Sequence, residues 1–184
     1  MSQVADKLLT HALQARREGR IQDAKDDLVD VVDLCRTAAN QMELAAALTA
    51  LGQIERDLHH LDASRQHYEE AVTIYRAQGN DRKLAHTLRH LGDIHRSEGR
   101  TEVAESYYDQ ALTLYRSDKQ TPPHELANAI RGLAILKHDS GAVGQAKLLW
   151  TEARDLYAIV NVNEGVAESS RRLALLSQRS GELE

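Results

Sequence analysis

The chain has 184 residues, with six tyrosines, one tryptophan, no phenylalanine, 42% hydrophobic residues and a formal net charge of −5. Ala, Leu, Arg, Glu and Gln abound and only two prolines occur, a composition that suits helices and argues against strands. A single Cys35 permits no internal disulfide, no apolar run approaches the roughly 20 residues that span a bilayer, and the acidic balance argues against nucleic-acid binding by the surface as a whole, so a cytoplasmic protein without membrane or nucleic-acid partners is expected.

The first predicted inner helix covers residues 3–18, with Val4, Leu8 and Ala12 on one side and a turn at Gly19. An outer helix follows, carrying Ala24, Leu28 and Leu34. The pattern then returns 40 residues later: an inner helix at 43–58 with Leu44, Leu48, Leu51 and Gly52, a turn at His59, and an outer helix with Ser64, Tyr68 and Ile74. A third pass gives 83–98 with Leu84, Leu88, Leu91 and Gly92, a turn at Gly99, then Ala104, Tyr108 and Leu114. The stretch DKQTPPHE inserts two residues before the fourth pass, where Thr121 is placed to cap an inner helix at 124–140 with Pro122 or Pro123 in its first turn. That helix carries Leu126, Ile130, Leu133 and Ala134, turns at Gly141, and leads to Ala146, Trp150 and Leu156. A fifth inner helix at 165–180, with Val166, Leu173 and Ala174, ends near a turn at Gly181 without an outer partner.

No single hairpin can bury these apolar ranks alone, so the period predicts stacked neighbours: an all-α, right-handed α-solenoid of about four and a half helix hairpins. The whole of 1–184 reads as one array, with units at about 1–40, 41–80, 81–121, 122–162 and a half unit at 163–184. Small residues at Ala12, Gly52, Gly92, Ala134 and Ala174 let paired helices approach, and the Gly turns supply left-handed backbone that ends a helix. Cys35 shares its register with Tyr75, Tyr115 and Tyr157, which assigns it to packing rather than to nucleophilic chemistry.

The stretch HLGDIHRSEGRTEVAESYYDQALTLY resembles a tetratricopeptide repeat, whose pattern has Leu-Gly in the first helix, then Gly, Ala, an aromatic and Ala. The 40-residue spacing is similar to that of kinesin light chains and of the spindle-orientation adaptor with Leu-Gly-Asn repeats. The first unit departs most, with His11 where Leu is expected and Leu28 in the aromatic rank. The resemblance implies a superhelix whose inner helices line a concave surface that binds peptides or partner proteins, and an adaptor or scaffold rather than an enzyme. After Leu-Gly, the Asn of the adaptor family is replaced here by Gln53 and Asp93, and by Ile135 and Leu175 in the later units.

Helical positions advance by about 100°, so the side opposite the apolar ranks is also fixed by the register. Its cations form two ladders, Arg16, Arg56, Arg96 and His138 at one position and Arg89, Arg131 and Arg171 at another. Gln53, His86, Asp93 and Asn128 lie between them, with Thr49, Leu175 and Arg179 on the same side. This side holds eight arginines against five acids, a surplus of +3 that leaves −8 for the rest of the chain. Asp93 and Glu168 are spaced to pair with Arg89 or Arg96 and with Arg171 on their own helices, whereas Arg16, Arg56 and Arg131 have no acid three or four residues away.

These residues are the candidate peptide-binding groove, and an acidic extended segment is the expected partner. The alternatives are a structural or oligomerising scaffold, with homodimerisation through the terminal helix, or the detached sensor domain of a bacterial regulator. No cofactor is expected. His86 and His90 have the spacing of two metal ligands on one helix, but no third ligand or HExxH pattern follows, so no metal site is expected either. His59 and His60 read as a solvated turn, and no P-loop, dinucleotide fingerprint or Ser nucleophile motif is present.

Overall fold

The computed structural model describes residues 3–181, with side chains for 4–178. Among the described residues there are nine α-helices and no strand: α1 Gln3–Arg17, α2 Ile21–Thr37, α3 Gln41–Asp57, α4 Leu61–Ala77, α5 Asp81–Ser97, α6 Thr101–Ser117, α7 Pro123–Asp139, α8 Val143–Ile159 and α9 Asn163–Gly181. The all-α expectation therefore holds, and the five inner helices fall within two residues of their predicted bounds.

The turns explain the regular length. Gly19, Gly99 and Gly141 take positive φ at the inner-to-outer turns, and His59 does so in the second unit of the repeat. At each of these turns the backbone closes in the same way, as in Gly19 N–H to the Arg16 carbonyl and Arg20 N–H to the Ala15 carbonyl, which satisfies carbonyls the helix end would otherwise leave open. The outer-to-inner turns use the same device at Ala39, Gly79 and Asn161, a role the sequence pattern did not mark. Gly181 is not a turn: it remains within α9.

Thr121 does not cap α7. Pro122 is the N-cap and Pro123 the first helical residue, so the helix begins one residue later than a Thr cap requires. The Pro122 carbonyl accepts from Glu125 N–H at 2.9 Å, and the Thr121 hydroxyl is buried without a partner among the described residues.

The chain forms two compact units, residues 1–87 and 88–184, divided within α5. In the first, α2 packs between α1 and α3, and α3 against α4. Its core is Ala12, Ala24, Leu28, Leu44, Leu48, Leu51, Tyr68 and Tyr75. In the second, α7 packs on α6 and α8, and α8 on α9. Leu88, Leu91, Tyr108, Tyr115, Ile130, Trp150 and Tyr157 are buried there. Gly52 and Gly92 lie against the rings of Tyr68 and Tyr108, so the small-residue rank does admit close approach. Ala174 departs from that rank: it is exposed, because no described helix covers that side of α9, while Leu176 takes the fully buried place beside Trp150.

Candidate functional site

In the first unit the polar side of the inner helices is a hydrogen-bonded chain. Arg16 on α1 reaches α3, donating from Nε and Nη2 to Asp57 Oδ2 at 3.1 and 2.7 Å and from Nη1 to Gln53 Oε1 at 3.0 Å. Gln53 Nε2 in turn meets His86 Nε2 at 3.4 Å. Arg56 lies 3.9 Å from Asp57. Thr49 is not on this surface: it is buried, with its hydroxyl on the Ala45 carbonyl and 3.5 Å from that of Thr87.

The second unit holds the denser cluster. Arg89 donates from Nη1 to Asp93 Oδ2 at 2.9 Å, and its Nη2 lies 2.8 Å from His90 Nε2. The Tyr108 hydroxyl donates to the other Asp93 oxygen at 2.8 Å and accepts from Arg96 Nε at 3.4 Å. Burial first, and then the Asp93 carboxylate, push the Tyr108 phenol far above its ordinary range, so it stays a donor. Arg131 on α7 forks onto Glu168 of α9, with Nε to Oε2 at 2.6 Å and Nη2 to Oε1 at 2.8 Å. That hydrogen bond holds the Glu168 carboxyl below its ordinary range and raises the Arg131 guanidinium. The Tyr157 hydroxyl donates to Asn128 Oδ1 at 2.7 Å, its phenol raised by burial.

Arg16 and Arg131, which have no acid three or four residues away, are paired across helices with Asp57 and Glu168, and one expectation from spacing is corrected. Glu168 serves Arg131 rather than Arg171, because the fork geometry of a guanidinium on a neighbouring helix outcompetes an i,i+3 approach along one helix. Arg171 is exposed and makes no hydrogen bond or ion pair among the described residues. His138 turns a buried Nδ1 inward with no partner among the described residues, and Leu175 is exposed on α9. The side chain of Arg179 lies outside the described residues.

His60 is also more than a solvated turn residue. Its Nδ1 sits 2.8 Å from Oε2 of Glu55, whose buried carboxylate is also held by Lys25 at 3.0 Å. Among the described residues no three His, Cys, Asp or Glu side chains converge as metal ligands would, and no described helix is long and apolar enough to cross a membrane.

The residues that spacing missed are the tyrosine hydroxyls. Tyr108 and Tyr157 were assigned to packing by register, and their rings are buried. The available signal was compositional: a chain with six Tyr and no Phe keeps a polar tip on almost every aromatic side chain.

Residues 43–117 match the tetratricopeptide repeat family. No curated protein matches the sequence. Among solved structures, BtubC (BKLC) from P. vanneervenii is 18% identical with a TM-score of 0.82, covering 97% of this chain and 74% of that one. A kinesin light chain from Podosopora anserina with nearly identical TPR-like repeats is 16% identical with a TM-score of 0.77, covering 99% and 90%. The Rap conjugation gene regulator of plasmid pLS20, solved in complex with a Phr peptide, is 15% identical with a TM-score of 0.83, covering 97% of this chain and 49% of the regulator. At these identities the likeness is one of fold. Residues 43–117 carry tetratricopeptide repeats, and the all-α chain around them has the fold of these solved repeat proteins.

Proposed function

We propose that the chain is a protein–protein interaction module that holds an extended acidic segment along the polar side of its inner helices. The observation that carries this reading is the second unit's cluster, in which Arg89 is bonded to Asp93, Arg131 to Glu168 and Arg96 to the Tyr108 hydroxyl, while Arg171 is exposed without a hydrogen bond or ion pair among the described residues. Arg131 spends Nε and one Nη2 hydrogen on Glu168 and keeps three N–H groups to offer, already oriented by that bond. Arg171 keeps all five. Asn128 and His138 supply polar contacts beside them, and Arg16, Gln53, Arg56 and His86 form the corresponding set in the first unit.

An extended peptide advances about 3.3 Å per residue and packed helices lie roughly 10 Å apart, so within each unit arginines on neighbouring inner helices meet an acidic side chain about every third residue. The likeness to a regulator solved with a peptide supports a peptide partner. The test is fluorescence anisotropy of a labelled Glu-rich peptide set against wild type, Arg171→Glu and Arg56→Glu. The expected result is at least a tenfold loss in each variant with an unchanged helical melt, and weaker binding at high salt. Equal affinity for all three proteins overturns the reading.

A scaffold whose polar side is only solvated is the second reading. It is favoured by the internal pairing of Arg16 with Asp57, Arg89 with Asp93 and Arg131 with Glu168.

A further inference from the structure

The fork between Arg131 and Glu168 is not something the repeat itself requires. One unit earlier Arg89 stands where Arg131 does and Asn128 where Glu168 does. There Arg89 bonds to Asp93 on its own helix, and Asn128 accepts from the Tyr157 hydroxyl. Between α7 and α9, by contrast, a carboxylate closes the Nε–Nη2 edge of the arginine, at 2.6 and 2.8 Å. That edge holds a planar carboxylate side-on by two parallel bonds. Glu168 therefore sits where an acidic side chain of a bound segment is best held.

The pair is open to exchange. The side chains of Arg131 and Glu168 are 39% and 24% exposed, and ion pairs this close to solvent contribute little, because water solvates the separated ions nearly as well. Glu168 also has a second cation within reach. Arg172 follows it by four residues on α9, the spacing and order in which a glutamate and a cation pair along one helix. The Arg131 bond first, and then the nearby Arg172 and Arg171, hold the Glu168 carboxyl below its ordinary range.

Resting on the acidic-segment reading of this surface, we infer that Glu168 is an internal competitor for Arg131: a carboxylate of the bound segment displaces it from the fork, and Glu168 turns to Arg172. The incoming carboxylate first meets the Nη1 side of the guanidinium, which Glu168 leaves open. It then takes the Nε–Nη2 edge as the Glu168 side chain changes rotamer. One carboxylate replaces another on the same guanidinium, so the charge balance of the fork is kept. The group bound here is an Asp or Glu side chain, and its apparent affinity is lowered by the fraction of free protein in which the fork is closed.

The test uses the full chain and the labelled Glu-rich peptide, titrated by anisotropy. Glu168→Gln keeps the size of the side chain and removes its charge, and is expected to bind the peptide about fivefold or more tightly than wild type. Glu164→Gln removes an equal charge from an exposed site one turn earlier on α9, and is expected to change affinity by less than about twofold. Arg172→Met removes the alternative partner and keeps apolar cover on Trp150. It is expected to weaken binding at least about threefold in the wild-type chain but by less than about twofold in the Glu168→Gln chain, a coupling that the loss of one positive charge does not produce. Circular dichroism melts check that each variant is folded. Affinity of Glu168→Gln at or below that of wild type overturns the proposal and makes Glu168 an orienting partner of Arg131 instead. So does an equal gain in Glu164→Gln, or an equal loss on Arg172→Met in both chains. In those cases the acidic-segment reading survives if wild type binds the peptide and Arg171→Glu loses it. If neither wild type nor Glu168→Gln binds the peptide, that reading fails and the competitor role fails with it.

Discussion

Glu55 shows how one buried charge is kept in this chain. Burial alone raises a carboxyl pKa, yet the hydrogen bonds from His60 and Lys25 outweigh it and Glu55 ends below its ordinary range. A depressed folded pKa contributes stability above the ordinary glutamate value, and that stability is lost as pH falls through the folded value. Lys25→Met removes one of the two partners and leaves the carboxylate under-satisfied. The expected cost at pH 7 is about 1–3 kcal/mol in urea unfolding, shrinking as pH falls from the ordinary glutamate value through the depressed folded value, since a neutral Glu55 needs no cation. A penalty that is constant with pH would show that Lys25 contributes packing of its stem and not charge. The repeat pattern did not expose this triad, because it assembles Lys25 of α2, Glu55 of α3 and His60 of the turn before α4, which no repeat spacing links.

At the level of helices, the second unit depends on how closely α7 approaches the ring of Tyr108. A Cβ built on Gly132 would meet Tyr108 Cε1 at 2.5 Å, and one on Gly92 would meet it at 2.8 Å, so the ring is held between two glycines of different helices. The place that Gly132 takes against Tyr108 is taken one unit later by Arg172, whose guanidinium carbon stands 5.8 Å from the Trp150 ring centroid. Gly132→Ala is expected to destabilise the protein by about 1–3 kcal/mol, because the buried ring cannot move aside without strain, even though Ala is the better helix former. A thermal melt at or above the wild-type midpoint would show that the ring yields. The 40-residue period made the helices, their turns and the aromatic ranks legible, since each follows from a local pattern of apolar spacing and left-handed residues. It did not reveal Gly132, which lies outside the recurring small position, nor the switch from Gly to Arg, since such contacts depend on a partner ring in another helix. The arginine ladders were legible as positions; which acid each arginine meets was not, because cross-helix pairing is decided by side-chain reach after the helices have packed.

At the level of the molecule, stability in a repeat fold is approximately a sum over units and the interfaces between neighbours, so a change at one end is felt mainly by the helices it touches. α9 is the informative case. One side of it is exposed, at Ala174 and Leu175. Its other side is part of the core: Leu176 is fully buried with Ala134, Ala146 and Trp150, and Glu168 carries the fork from Arg131. Trp150 is the chain's one tryptophan and is fully buried, so its fluorescence reports on this contact alone. A chain ending at Val162 is expected to show red-shifted tryptophan emission and a lower melting transition for the second unit. Amide exchange should rise in α7 and α8 while α1–α4 keep wild-type protection. The substitution Leu176→Ala, which keeps α9 but removes its buried anchor, should move the emission in the same direction at a cost of about 2–5 kcal/mol. If emission and exchange in α7 and α8 stay at wild-type values in both variants, α9 does not hold the Trp150 core closed, and its burial of Leu176 contributes nothing that the remaining helices cannot supply themselves.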